Sequence, residues 1–131
     1  MTADIAVYCP ADGAPAAQLC NVLADAQRLA DLVDDAAVCE MELAGNRLCI
    51  RGTPFRCVIV PGARHMPLET FRKLCQFAAA GGLLVFVEPV PTSGLTPDET
   101  EAIAATWPGL LDAKHVVRVL RPEDCLAALD L

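Results

Sequence analysis

Apolar positions in this chain fall into two rhythms: short continuous runs, and stripes that recur every three or four residues. The run Asp4 to Cys9 (DIAVYC) predicts a first strand, ended by Pro10 and the Asp12-Gly13 turn signal. Leu19, Val22, Leu23, Ala26, Leu29 and Val33 then recur at helical spacing, with Gln18, Asn21, Asp25, Arg28 and Asp31 on the polar side. Val38 to Leu43 alternates loosely and predicts a short second strand. Ala44-Gly45-Asn46 reads as a turn and Arg47 to Ile50 as a hairpin arm pairing back.

The most regular stretch runs from Phe55 to Pro91. Arg51-Gly52-Thr53-Pro54 is a loop that delivers the chain to Phe55–Val60, nearly continuous in apolar residues, as expected of a strand covered on both faces. A helix follows, with Pro67 suited to its first turn and Leu68, Phe71, Leu74, Cys75 and Ala78 as its buried stripe. Gly81-Gly82 stops it, because glycine tolerates the left-handed conformation after a helix end. Leu83 to Val87 is the next strand, terminated by Pro89 and Pro91. Thr96-Pro97-Asp98-Glu99 has the form of a capping box opening a helix that runs to about Trp107 and stops at Pro108-Gly109. His115 to Leu120 reads as a fifth, edge strand and Pro122 to Leu129 as a terminal helix. Strands alternate with helices throughout, which predicts one α/β domain over residues 1–131: a three-layer sandwich with a mostly parallel sheet of about five strands and helices on both faces.

Length and charge narrow the picture. The 131 residues suffice for one sizeable core, and no apolar run approaches the roughly 20 residues that span a bilayer. No basic region followed by an apolar segment opens the chain, so the expectation is a cytoplasmic protein without a membrane partner. A net charge of −7 argues against a nucleic-acid partner, which needs clustered Lys and Arg. The seven cysteines are odd in number and contain no C-x-x-C pair, so the expectation is reduced thiols filling small apolar positions, with no metal site and no cofactor.

Parallel sheets bind ligands beyond the carboxyl ends of their strands. Those ends carry Cys9-Pro10, Pro61-Gly62-Ala63-Arg64-His65 and Glu88-Pro89-Val90. Arg64, His65 and Glu88 together would supply a guanidinium, an imidazole and a carboxylate for acid–base work or for anchoring a polar ligand. The plainer alternative is a set of loop residues satisfied by backbone and water. Cys9 invites a nucleophile reading, but thiolate activation needs a nearby cation or helix N-terminus, and a small apolar residue at a strand end is the competing account.

Several of these segments resemble a known family. VIVPGARHMPLETFRKL and QFAAAGGLLVFV look like the strand, helix and glycine exit of the class I glutamine-amidotransferase-like domains embedded in large glycoside hydrolases, a resemblance that implies a flavodoxin-like fold. The trimerisation domain of bacterial beta-galactosidases and the equivalent domain of alpha-L-rhamnosidase-type enzymes are the nearest in pattern. DIAVYCP resembles the opening of the same domain, and Gly45-Asn46-Arg47-Leu48 to Phe55 its hairpin; the resemblance covers roughly residues 4 to 95.

True amidotransferases place a nucleophilic cysteine in a sharp turn after the strand corresponding to Leu83–Val87. Here that turn reads Val87-Glu88-Pro89-Val90, with no Cys, Ser or glycine neighbour, and Pro89 works against a strained elbow. The resemblance therefore implies a non-catalytic accessory or oligomerisation domain of a carbohydrate-active enzyme, or a stand-alone relative of one. Its expected partners are a catalytic barrel domain or like subunits of a glycoside hydrolase, and a homo-oligomer is among them. The alternative is a small-molecule binding or hydrolytic protein using the strand-end crevice. A thiol enzyme acting through Cys9 is a third.

Overall fold

Five strands form one sheet in which every neighbouring pair is parallel, the three central ones buried along most of their length and the two outer ones largely exposed or half-buried. The structure is a computed structural model and describes residues 5–9, 14–26, 30–40, 42–44, 47–50, 53–61, 64–88, 90–111 and 116–125. In chain order the elements are β1 (Ile5–Tyr8), α1 (Ala14–Asp25), β2 (Ala30–Val33), α2 (Asp35–Cys39), β3 (Glu42–Ala44), β4 (Arg47–Ile50), β5 (Thr53–Phe55), β6 (Cys57–Pro61), α3 (Leu68–Ala79), β7 (Leu83–Val87), α4 (Pro97–Leu111) and β8 (Val116–Val119), followed by a 3₁₀ turn at Pro122–Asp124.

The sheet order is β2-β1-β6-β7-β8, so the path reverses direction between β1 and β6. That is the flavodoxin-like arrangement, an α/β sandwich with its topological switch point between those two strands. Strand residues alternate between two cores, as the two-residue period of a strand requires. Ala6, Tyr8, Val58, Val60, Leu84 and Phe86 face α2, α3 and α4 through Val38, Phe71, Leu74, Phe77, Ile103 and Leu110. Ile5, Val7, Cys57, Ile59, Val85 and Val87 face Leu19 and Leu23 of α1 and Cys125.

Local signals explain several boundaries. The α3 helix ends in a Schellman motif, with Gly81 at φ 100° and Gly82 N–H donating to the Phe77 carbonyl at 3.0 Å. Pro97 stands at the first helical position of α4, and Thr96 Oγ1 accepts from the Glu99 N–H at 3.2 Å, as the capping pattern predicts. Pro67 is the N-cap of α3 rather than a residue of its first turn.

Four expectations are corrected. The first helix stops at Asp25, and Ala30–Val33, expected as its last turn, is instead the outer strand β2, paired Ile5↔Ala30 through Tyr8↔Val33. The second strand expected at Val38–Leu43 is displaced: Asp34 caps a five-residue helix by accepting from the Ala37 N–H at 2.8 Å, and the extended chain begins at Glu42. Phe55 ends a third arm, so β3, β4 and β5 form a separate antiparallel sheet and β6 begins at Cys57. The α4 helix runs through Pro108 to Leu111 instead of stopping at Trp107, because continuing it buries Leu110 in the core beside α3. The Asp12-Gly13 and Gly45-Asn46 turns, Gly62, Pro89, His115 and the body of the terminal helix lie outside the described residues.

All seven cysteines are thiols, two of them buried and five partly exposed. Among the described residues no helix is long and apolar enough to cross a membrane.

Candidate functional site

The carboxyl ends of β1, β6 and β7 define one rim of the sheet. Cys9 follows β1, Arg64 and His65 follow β6, and Glu88 follows β7. Topology thus brings all four residues to the same end of the molecule, but their side chains have separate surroundings.

The segment after β7 lies across the segment after β6 and is stitched to it by backbone bonds. Thr92 and Ser93 N–H groups donate to the Arg64 carbonyl at 2.9 and 3.1 Å, and Met66 N–H donates to the Ser93 carbonyl at 2.9 Å. His65 and Ser93 form a parallel bridge. The Trp107 indole N–H reaches the Pro91 carbonyl at 2.6 Å, with its ring against Phe71 and Phe86. Residues 90 to 96 are thereby a strap over the ends of β6 and β7, which leaves the Arg64 and His65 side chains exposed on its outside. Glu88 is ion-paired with Arg118 of β8, and among the described residues no ion pair joins it to Arg64 or His65.

The β1 side is more open. Cys9 N–H donates to the Val33 carbonyl at 2.7 Å, and the half-buried residue lines a cavity of about 300 Å³ with Leu32, Val33, Asp34 and Ala37. One step back in β1 lies a polar cluster that the sequence reading missed. Tyr8, the chain's one tyrosine, is buried and donates its hydroxyl to Asp35 Oδ1 at 2.6 Å. The buried Thr70 hydroxyl donates to the same oxygen at 2.8 Å, and Cys39 Sγ lies 4.0 Å from Thr70 Oγ1. Burial, reinforced by the Asp35 carboxylate, pushes the Tyr8 phenol well above its ordinary range. The signal available was an Asp34-Asp35 pair opening a helix and a lone tyrosine at a strand end. Nothing in the spacing shows that they meet.

The remaining titratable groups of interest are thiols. Burial pushes Cys57 and Cys125 up to about 12 and Cys75 up to about 11, and it raises Cys20 as well. A raised thiol is a poor nucleophile near neutral pH, so these four are packing residues. Among the described residues no group of three or more His, Cys, Asp or Glu side chains is placed to hold a metal ion.

No protein-family model, curated protein or solved structure matches this chain. The class defined by fold and site is an α/β flavodoxin-like domain whose strand-end rim is strapped over β6 and β7 and open beside β1.

Proposed function

We propose that this chain is a non-catalytic accessory domain of a carbohydrate-active enzyme of the glycoside hydrolase kind, or a stand-alone relative, that works by packing against a catalytic subunit or against like subunits. The observation that carries the reading is Glu88. At the strand end where an amidotransferase holds its nucleophile, this chain has a carboxylate tied to Arg118 of the neighbouring strand. The turn thus carries neither a thiol nor a hydroxyl in the place where amidotransfer needs its nucleophile. Large apolar side chains exposed at Leu32, Leu95 and Leu120 support an associating protein: each lies at or beyond the carboxyl end of a strand, on the rim.

The reading is tested by assaying the purified chain for hydrolysis of glutamine and of aryl glycosides. The expected result is no turnover above the uncatalysed rate. Turnover that disappears in Glu88→Gln would overturn it.

The cavity beside Cys9 favours a second reading, a small-molecule site at the β1 end of the crevice. Thermal-shift titration with glutamine, galactose and rhamnose tests it. A saturable rise in Tm that is lost in Cys9→Leu, which fills the cavity mouth, supports the site; no shift with any of the three removes it for these ligands.

A further inference from the structure

The sheet has two outer strands, β2 and β8, each with one neighbour among the described residues. An outer strand presents a row of N–H and C=O groups that will pair with another chain unless charge, proline or curvature prevents it. The two edges differ in this protection. Exposed Asp31 lies within β2 and exposed Asp34 immediately after it, so a copy pairing there meets carboxylates. In β8 the one charged residue is Arg118, and Glu88 at the end of β7 neutralises it within the same chain. Just past β8 stands Leu120, 76% exposed.

Backbone direction then sets the register. The Val119 carbonyl accepts from the Glu88 N–H at 2.9 Å, so the polar groups of Val119 point inward to β7. Successive residues of a strand alternate, which turns the N–H and C=O groups of Arg118 and Val116 outward. In an antiparallel pair related by a two-fold axis normal to the sheet, outward residues must meet outward residues on the same face. Centring the axis on Arg118 satisfies this. Arg118 then exchanges two backbone bonds with its own counterpart, Val117 lies opposite Val119, and Val116 lies opposite Leu120. Every opposed pair except the central one is apolar, and each central arginine keeps its own Glu88.

We propose that a second copy of this chain docks on β8 in this antiparallel register, joining the two five-stranded sheets into one continuous sheet. The inference rests on the association reading above and names its partner and its surface.

Sedimentation equilibrium of the full chain over rising concentration tests it. The wild-type mass is expected to rise from 13.9 kDa to twice that value. Leu120→Pro removes an outward N–H at an exposed position and is expected to hold the mass at 13.9 kDa with an unchanged circular dichroism spectrum. Should that variant fail to fold, Leu120→Asp, which sets a carboxylate against Val116, is expected to weaken dimerisation at least about tenfold. Ala36→Asp, at an exposed residue of α2 beside the opposite outer strand β2, is expected to leave it unchanged.

A wild-type chain that stays monomeric, or a dimer indifferent to both Leu120 variants, overturns the proposal. A monomer without hydrolase activity would remove this dimer and leave the accessory-domain reading standing. Dimerisation together with turnover lost in Glu88→Gln would do the reverse.

Discussion

Glu99, in the first turn of α4, accepts a hydrogen bond at 2.8 Å from the backbone N–H of Leu68, the first residue of α3. One carboxylate therefore serves two helices. Its own N–H is capped by Thr96, while its side chain satisfies a donor that α3 leaves open at its start, Pro67 supplying no side-chain cap. Glu99→Ala strands that donor and is expected to cost about 1–3 kcal/mol, read from the urea midpoint. Glu99→Gln retains an acceptor and is expected to cost less than half as much. Equal losses would mean that the contact contributes only packing.

The strap depends on the same contact. A Cβ on Gly94 would stand 2.3 Å from the Glu99 Cβ, so Gly94→Ala must push strap and helix apart. The expected cost is about 1–3 kcal/mol, the range for overpacking a fitted contact. Amide exchange should quicken at Thr92 and Ser93, whose N–H groups bind Arg64. Unchanged exchange there would show that the strap does not need Glu99.

Tyr8 and Thr70 share the Asp35 oxygen, so their contributions should not add. Tyr8→Phe removes one donor and leaves Asp35 with the other, for an expected loss of about 1 kcal/mol. Asp35→Ala leaves two buried hydroxyls without their acceptor and is expected to cost about 2–4 kcal/mol. In the double-mutant cycle the combined loss should fall short of the sum. Additivity would show that the two hydroxyls do not act through Asp35.

Stability should fall as the pH rises above 9. Burial raises Cys57 and Cys125 to about 12 and Cys75 to about 11, from an ordinary 9.0. Above pH 9 the unfolded chain has released protons that the folded chain still holds, so unfolding becomes easier as pH rises. The stability these thiols contribute is complete below pH 9 and lost progressively toward pH 12. Urea midpoints between pH 7 and 10.5 measure it. Substituting Cys57→Ala and Cys125→Ala together should flatten the slope, whereas an unchanged slope would assign it to other groups.

The part of this fold written in local chemistry is the crossover from β6 through α3 to β7. Its glycine stop at Gly81, its apolar runs and the Thr96 cap all act within a few residues of themselves. The outer strand β2 was not legible, because Ala30–Val33 continues the three-and-four spacing of α1 and four residues carry no period of their own. Only the open side of β1 makes it a strand. Pro108 misleads for a similar reason: the helix tolerates it because Trp107 and Leu110 on either side are held by Phe71, Phe86 and the core.

At the rim, the positions of Cys9, Arg64, His65 and Glu88 beyond strand ends followed from the runs that precede them. Their partners did not. Arg118 lies 30 residues from Glu88, and Thr70 lies 35 from Asp35, so only the folded sheet brings them together.

The central claim is that this domain acts through what it packs against. Its most direct test is the native size of the polypeptide in a lysate of its source, by immunoblot after native and denaturing separation, with mass spectrometry of the native band. The account predicts a native species above 13.9 kDa in which this domain is joined to a glycoside hydrolase, in one chain or as a bound subunit, or to a further copy of itself. A native species holding this chain alone as a monomer would contradict it and direct attention to the crevice beside Cys9.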